Sequence, residues 1–140
     1  MKTFEKLANE LLTQVINFSR EYRCRRWTEE DGASKTFWCA FGKLKYSLRY
    51  QFSEENANYG KVILYCDDGP TISDTNIIVK ISFLKQFGDS YLELEIPSTK
   101  IKTKGNPSKF EKFVVQKTLI MGAQIFAEKE LIVSEKMNAN

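Results

Sequence analysis

No histidine occurs among the 140 residues. Its absence removes the commonest general base, the commonest metal ligand and the side chain that titrates near neutral pH. Ser-His-Asp and Cys-His catalysis are excluded within one chain, as are HExxH and zinc-deaminase sites. Cysteine is sparse too. Cys24, Cys39 and Cys66 stand far apart with no CxxC. An odd count without paired spacing predicts reduced thiols and a cytoplasmic location over a disulfide scaffold. Three cysteines cannot close a four-cysteine zinc site. Cys39 and Cys66 sit inside apolar runs and read as small buried hydrophobes. Glycine-rich phosphate loops of the GxGxxG or GxxxxGK[ST] kind are missing. No run approaches the ~20 apolar residues of a membrane span, and the first 27 residues are charged throughout with no continuous apolar core, so no secretory leader is expected. No membrane partner is expected.

What is present is ordinary in amount and uneven in placement. Hydrophobic residues make up 42% and charged residues 28% of the chain, which suits one globular domain over residues 1–140. Ten Phe, six Tyr and two Trp supply large apolar area for a core.

The first segment, Phe4 to about Arg26, repeats apolar residues every three or four positions (Phe4, Leu7, Leu11, Val15, Phe18, Tyr22) and predicts a helix. Trp27–Ser34 is polar, contains Gly32 and reads as a loop. The period then drops to two. Phe37, Cys39 and Phe41 hold odd positions, while Leu44, Tyr46, Leu48, Tyr50 and Phe52 hold even ones. The change of parity at Gly42–Lys43 requires a bulge or a tight turn. Val62–Cys66 is apolar throughout and predicts a central strand. Asn76–Leu84 and Tyr91–Ile96 predict a hairpin around Gln86–Asp89, with Phe83 opposite Leu92, Ile81 opposite Leu94 and Lys80 opposite Glu95. Ser108 followed by Glu111 predicts a capping box, opening a helix from Phe110 to about Glu135.

The expected fold class is α+β: an N-terminal helix, an antiparallel meander of four to five strands and a long C-terminal helix. Two helices on one face would leave the other with Ile63, Tyr65, Ile78, Leu84 and Tyr91, a large apolar group for open solvent. Either one helix covers each face, or the open face is an interface, for which a homodimer is one answer. The outline resembles, in architecture alone, that of type III secretion chaperones and of phage-encoded inhibitors. Those chaperones are typically acidic and this chain is not, so the resemblance transfers no residues.

The net charge of +3 conceals three basic segments. Arg20–Trp27 carries +3, Lys43–Arg49 carries +3 and Thr99–Lys112 carries +4, so the rest of the chain carries −7. Clustered cations beside aromatics (Tyr22, Trp27, Tyr46, Tyr50) suit a nucleotide or single-stranded nucleic acid, although Tyr46 and Tyr50 run in phase with Leu44, Leu48 and Phe52 and so belong to the core. The expected ligand-binding residues are Arg23, Arg25, Arg26, Lys43, Lys45, Arg49, Lys102, Lys104 and Lys109. The reading is a non-enzymatic binding protein for nucleic acid or a nucleotide. The alternative is a protein-interaction factor, an adaptor, chaperone or phage-type inhibitor, that meets a larger protein partner through the open sheet face. Asp67-Asp68-Gly69 reads as a turn before a cation site, and Glu93 with Glu95 as surface carboxylates. No metal and no cofactor are expected.

Overall fold

The computed structural model describes residues 2–53, 59–67, 75–97, 104–127 and 131–137. Helix α1 (Lys2–Ser19) is followed by six antiparallel strands: β1 (Arg25–Asp31), β2 (Ser34–Phe41), β3 (Leu44–Phe52), β4 (Tyr59–Asp67), β5 (Thr75–Gln86) and β6 (Asp89–Ile96). Helix α2 (Asn106–Phe126) then crosses back to β7 (Leu131–Met137), which lies parallel to β6. The seven strands stand side by side in chain order. The class is α+β as expected, with a six-strand meander in place of four or five strands.

Each extra element has a physical cause. The apolar phase of α1 runs on to Tyr22, but the helix stops at Ser19. There the Arg26 guanidinium Nη1 donates to the Ser19 carbonyl (3.1 Å) and the Tyr22 carbonyl (3.2 Å), closing the exposed helix end. Tyr22 keeps the phase because its ring packs edge-on against Phe18 at 5.3 Å. Strand β1 (RRWTEED) has no apolar alternation, so it reads as a loop in sequence. It is an edge strand held by β2, with Trp27 opposite Trp38. At the other end, Leu-Ile-Val after α2 shows no period of its own. The expected long helix ends at Phe126, and β7 forms where β6 offers its free side.

The parity change at Gly42–Lys43 is a two-residue turn with Gly42 at φ 62°, which sets Phe41 opposite Leu44, Cys39 opposite Tyr46 and Phe37 opposite Leu48. The β5–β6 register is the one the sequence predicts, with Phe83, Ile81 and Lys80 opposite Leu92, Leu94 and Glu95. Its turn has both central residues in the left-handed region, Phe87 at φ 53° and Gly88 at φ 84°.

The capping box is absent. Helix α2 opens earlier, at Gly105–Asn106, with Pro107 in its first turn and no side-chain cap. Glu111 is buried and accepts a 2.7 Å hydrogen bond from the Tyr46 hydroxyl. Gly122 is buried on the sheet side of α2, where a Cβ would meet Ile81 Cδ1 at 3.5 Å, an ordinary van der Waals contact.

Both helices cover one face. Phe4, Ala8, Leu11 and Val15 of α1 join Phe110, Val114, Met121 and Ile125 of α2 over Leu48, Leu64, Ile81 and Leu94 in one core. Phe18 and Phe113 stack between the helices at 3.9 Å. Cys39, Cys66, Tyr46 and Tyr50 are in that core, as their phase predicts. No described helix is long and apolar enough to cross a membrane.

Candidate functional site

The strand registers arrange the uncovered face in rows. One row runs Trp27, Trp38, Ser47, Tyr65, Ile77. The row on one side runs Arg25, Ala40, Lys45, Asp67, and on the other Glu29, Thr36, Arg49, Ile63, Lys80, Glu95. Alternation fixes which residues face outward: Phe37 and Cys39 enter the core, so Trp38 between them does not.

The Trp27 and Trp38 rings stack at 5.6 Å with planes 9° apart. The Arg25 guanidinium lies 5.9 Å from the Trp27 ring centre, and Lys45 Nζ lies 5.6 Å from that of Trp38. Trp27 Nε1 donates to Glu29 at 3.3 Å. Trp38 Nε1 and Arg49 Nε are buried donors with no hydrogen-bond acceptor among the described residues. A buried donor left without an acceptor costs about 1–3 kcal/mol. Beside this row, the face dips into a cavity of about 760 Å³. Thr36, Arg49, Gln51 and Lys61 lie in it, with Glu29, Glu30 and Asp31 along the β1 side. The face is therefore polarised along β1, with Arg25 and Lys45 at one end and the Glu29 and Asp31 carboxylates at the other.

The nine expected binding residues separate into groups. Arg25, Lys45 and Arg49 share the open face. Arg23, Lys43, Lys104 and Lys109 are exposed at one end of the molecule. There the Tyr22, Phe41 and Phe110 rings (6.4 and 5.8 Å apart in turn) draw together the end of α1, the β2–β3 turn and the start of α2. Arg26 is spent on the end of α1 and also lies 3.2 Å from Cys24 Sγ, so its role is structural. Lys102 lies outside the described residues, as do Asp68 and Gly69 of the DDG turn. No group of three or more Cys, Asp or Glu among the described residues is placed to hold a metal.

The apolar open-face group is smaller than the sequence implies. Ile63 is buried, and Ile78 packs against the core, because a bulge at Leu64/Tyr65 makes it the extra residue and gives its row position to Ile77. Tyr65 is half-buried. Leu84 and Tyr91 are opposite one another and exposed, next to the turn that carries the exposed Phe87. Sequence reasoning missed Trp38 and left Trp27 in a loop. The available signal was the odd–even alternation of Phe37-Trp38-Cys39, which turns one aromatic away from the core.

Comparison with protein-family models, with curated protein sequences and with solved structures gave no match.

Proposed function

We propose that the open sheet face binds a nucleotide or single-stranded nucleic acid, without catalysing a reaction, in the cytoplasm. The observation that carries this reading is the stacked Trp27–Trp38 pair with a cation at each ring, Arg25 and Lys45. Indole rings give bases a sequence-tolerant stacking surface, and the neighbouring cations suit phosphates.

The chain contains only two tryptophans, and both are in the stack, so intrinsic fluorescence reads this site alone. Titration with a single-stranded oligonucleotide should quench it, with an affinity that falls linearly on a log–log plot against salt. Lys45→Ala should weaken binding and flatten that slope, and Trp38→Ala should remove most of the affinity. A fluorescence signal indifferent to oligonucleotide at low salt would sink the reading.

A second reading, a protein-interaction factor, rests on the tip of the β5–β6 hairpin. Phe87 is 95% exposed there, beside the exposed Leu84–Tyr91 pair. A partner captured from nuclease-treated lysate by the wild type, and lost with Phe87→Ser, would favour it.

A further inference from the structure

Strand β1 closes the sheet at one edge, and its outer side pairs with no described strand. An exposed edge is a template for another strand unless charge or a bulge blocks it. Six of the seven residues of β1 are exposed, and the sequence is Arg-Arg-Trp-Thr-Glu-Glu-Asp. An edge bearing one sign of charge repels its own copy. This edge bears cations at its start and carboxylates at its end, so an antiparallel copy meets opposite charge at both ends. We infer that β1 is a homodimerisation strand, pairing antiparallel with β1 of a second copy of this chain about a two-fold axis at Thr28.

Centring on Thr28 sets Arg25 opposite Asp31 twice, with Trp27 opposite Glu29; Arg26 falls opposite Glu30 but keeps its guanidinium on the end of α1. Sliding the register by two residues loses this. In one direction Trp27 faces itself and Glu30 and Asp31 face nothing; in the other Glu29 faces itself and both arginines are unmatched. Opposed residues of an antiparallel pair point to the same side. Arg25, Trp27, Glu29 and Asp31 of both copies would line one face, so the two open faces merge into one and both helix layers lie behind it. Each half of such an interface is the same patch, as a closed two-fold dimer requires.

The test reads mass, with no nucleic acid present, so its failure leaves the ligand reading untouched. In sedimentation equilibrium the nuclease-treated wild type should approach twice 16.2 kDa as concentration rises. Arg25→Glu and Asp31→Lys, both at exposed positions, should each weaken self-association by roughly tenfold or more, since two favourable pairs become repulsive. A one-to-one mixture of these two variants should recover the dimer, because each supplies the charge the other lacks. The Arg25→Glu/Asp31→Lys double variant should recover it within one chain. Wild type that stays at 16.2 kDa throughout, a dimer insensitive to both single variants, or a mixture that stays monomeric would each overturn the inference.

Discussion

Cys24 Sγ lies 3.2 Å from Cys39 Sγ, across fifteen residues of sequence, with Arg26 Nη1 3.2 Å from the Cys24 sulfur. The two thiols are not equivalent. Burial, together with the hydrogen bond to Cys24 and its charge, holds the Cys39 thiol far above the ordinary range, and the Arg26 cation only partly opposes this. Cys24 is half-buried and is the accessible member. Alkylation of the native protein should therefore modify Cys24 first, with Cys39 and Cys66 protected until unfolding. A small disulfide reagent should oxidise the pair in two steps. Cys24 thiolate displaces one reagent thiol. Cys39 then attacks the mixed disulfide, loses its proton and releases the second thiol. The second step should quicken as pH rises, because Cys39 must ionise. Peptide mapping under non-reducing conditions reads the product; a bond from Cys24 to Cys66 would contradict the geometry.

The Tyr46–Glu111 hydrogen bond joins residues 65 apart inside the core. Tyr46→Phe removes the donor and leaves the volume nearly unchanged. It should cost about 1–3 kcal/mol in denaturant unfolding. The Tyr46→Phe/Glu111→Leu double variant should recover part of that loss, since both polar groups then leave together. Equal stability of Tyr46→Phe and wild type would show that the bond contributes nothing net.

Tyr50 gives stability a dependence on alkaline pH. Burial, and then the nearby Glu5 charge, push its hydroxyl from 10.0 up to about 12. The folded state thus keeps a proton that the unfolded state releases. The contribution is complete below about 10 and is lost as pH rises toward about 12. Tyr50→Phe should flatten this arm of the stability curve relative to wild type, measured by denaturant midpoints across that window.

Phe87 occupies the left-handed region at φ 53° with its ring in solvent. An L-residue with Cβ there costs on the order of 1 kcal/mol, whereas Asn tolerates the conformation. Phe87→Asn should raise the thermal midpoint and leave the β5–β6 register intact. A lower midpoint would mean that the ring contributes contacts that outweigh the backbone cost.

The legible parts of this molecule are those where one face of an element is buried. The β5–β6 register could be read because Phe83–Leu92 and Ile81–Leu94 match in polarity as well as position. The turn at Gly42 was visible because a two-residue loop must change the parity of the apolar set. Strand β1 was not legible. An edge strand with both sides wet carries no alternation, and only pairing with β2 defines it. Glu111 misled because a carboxylate three residues after Ser is a cap signature in sequence, while its partner, Tyr46, is brought to it by the packing of α2 on β3. Arg25, Lys45 and Arg49, singled out by charge alone, lie on one sheet face because the strand registers set them in phase. Trp38 was hidden among core residues, and Arg26 looked like a free cation because nothing local reveals that it reaches back to Ser19.

The unbroken order of the sheet has a consequence for how the chain assembles. Strands β1 to β6 each pair with the next in sequence, so every one of those contacts closes over a short loop and can form as soon as its second strand exists. Two events cannot. Helix α1 seats Phe4 on Tyr50 and Phe83 but completes its packing only with α2, more than ninety residues further along, as the Phe18–Phe113 stack shows, and β7 must await the α2 crossover before it can lie beside β6. During synthesis the meander would precede α2, leaving the part of its apolar face that α2 covers exposed until that helix arrives. The first helix made would be among the last to be fully packed.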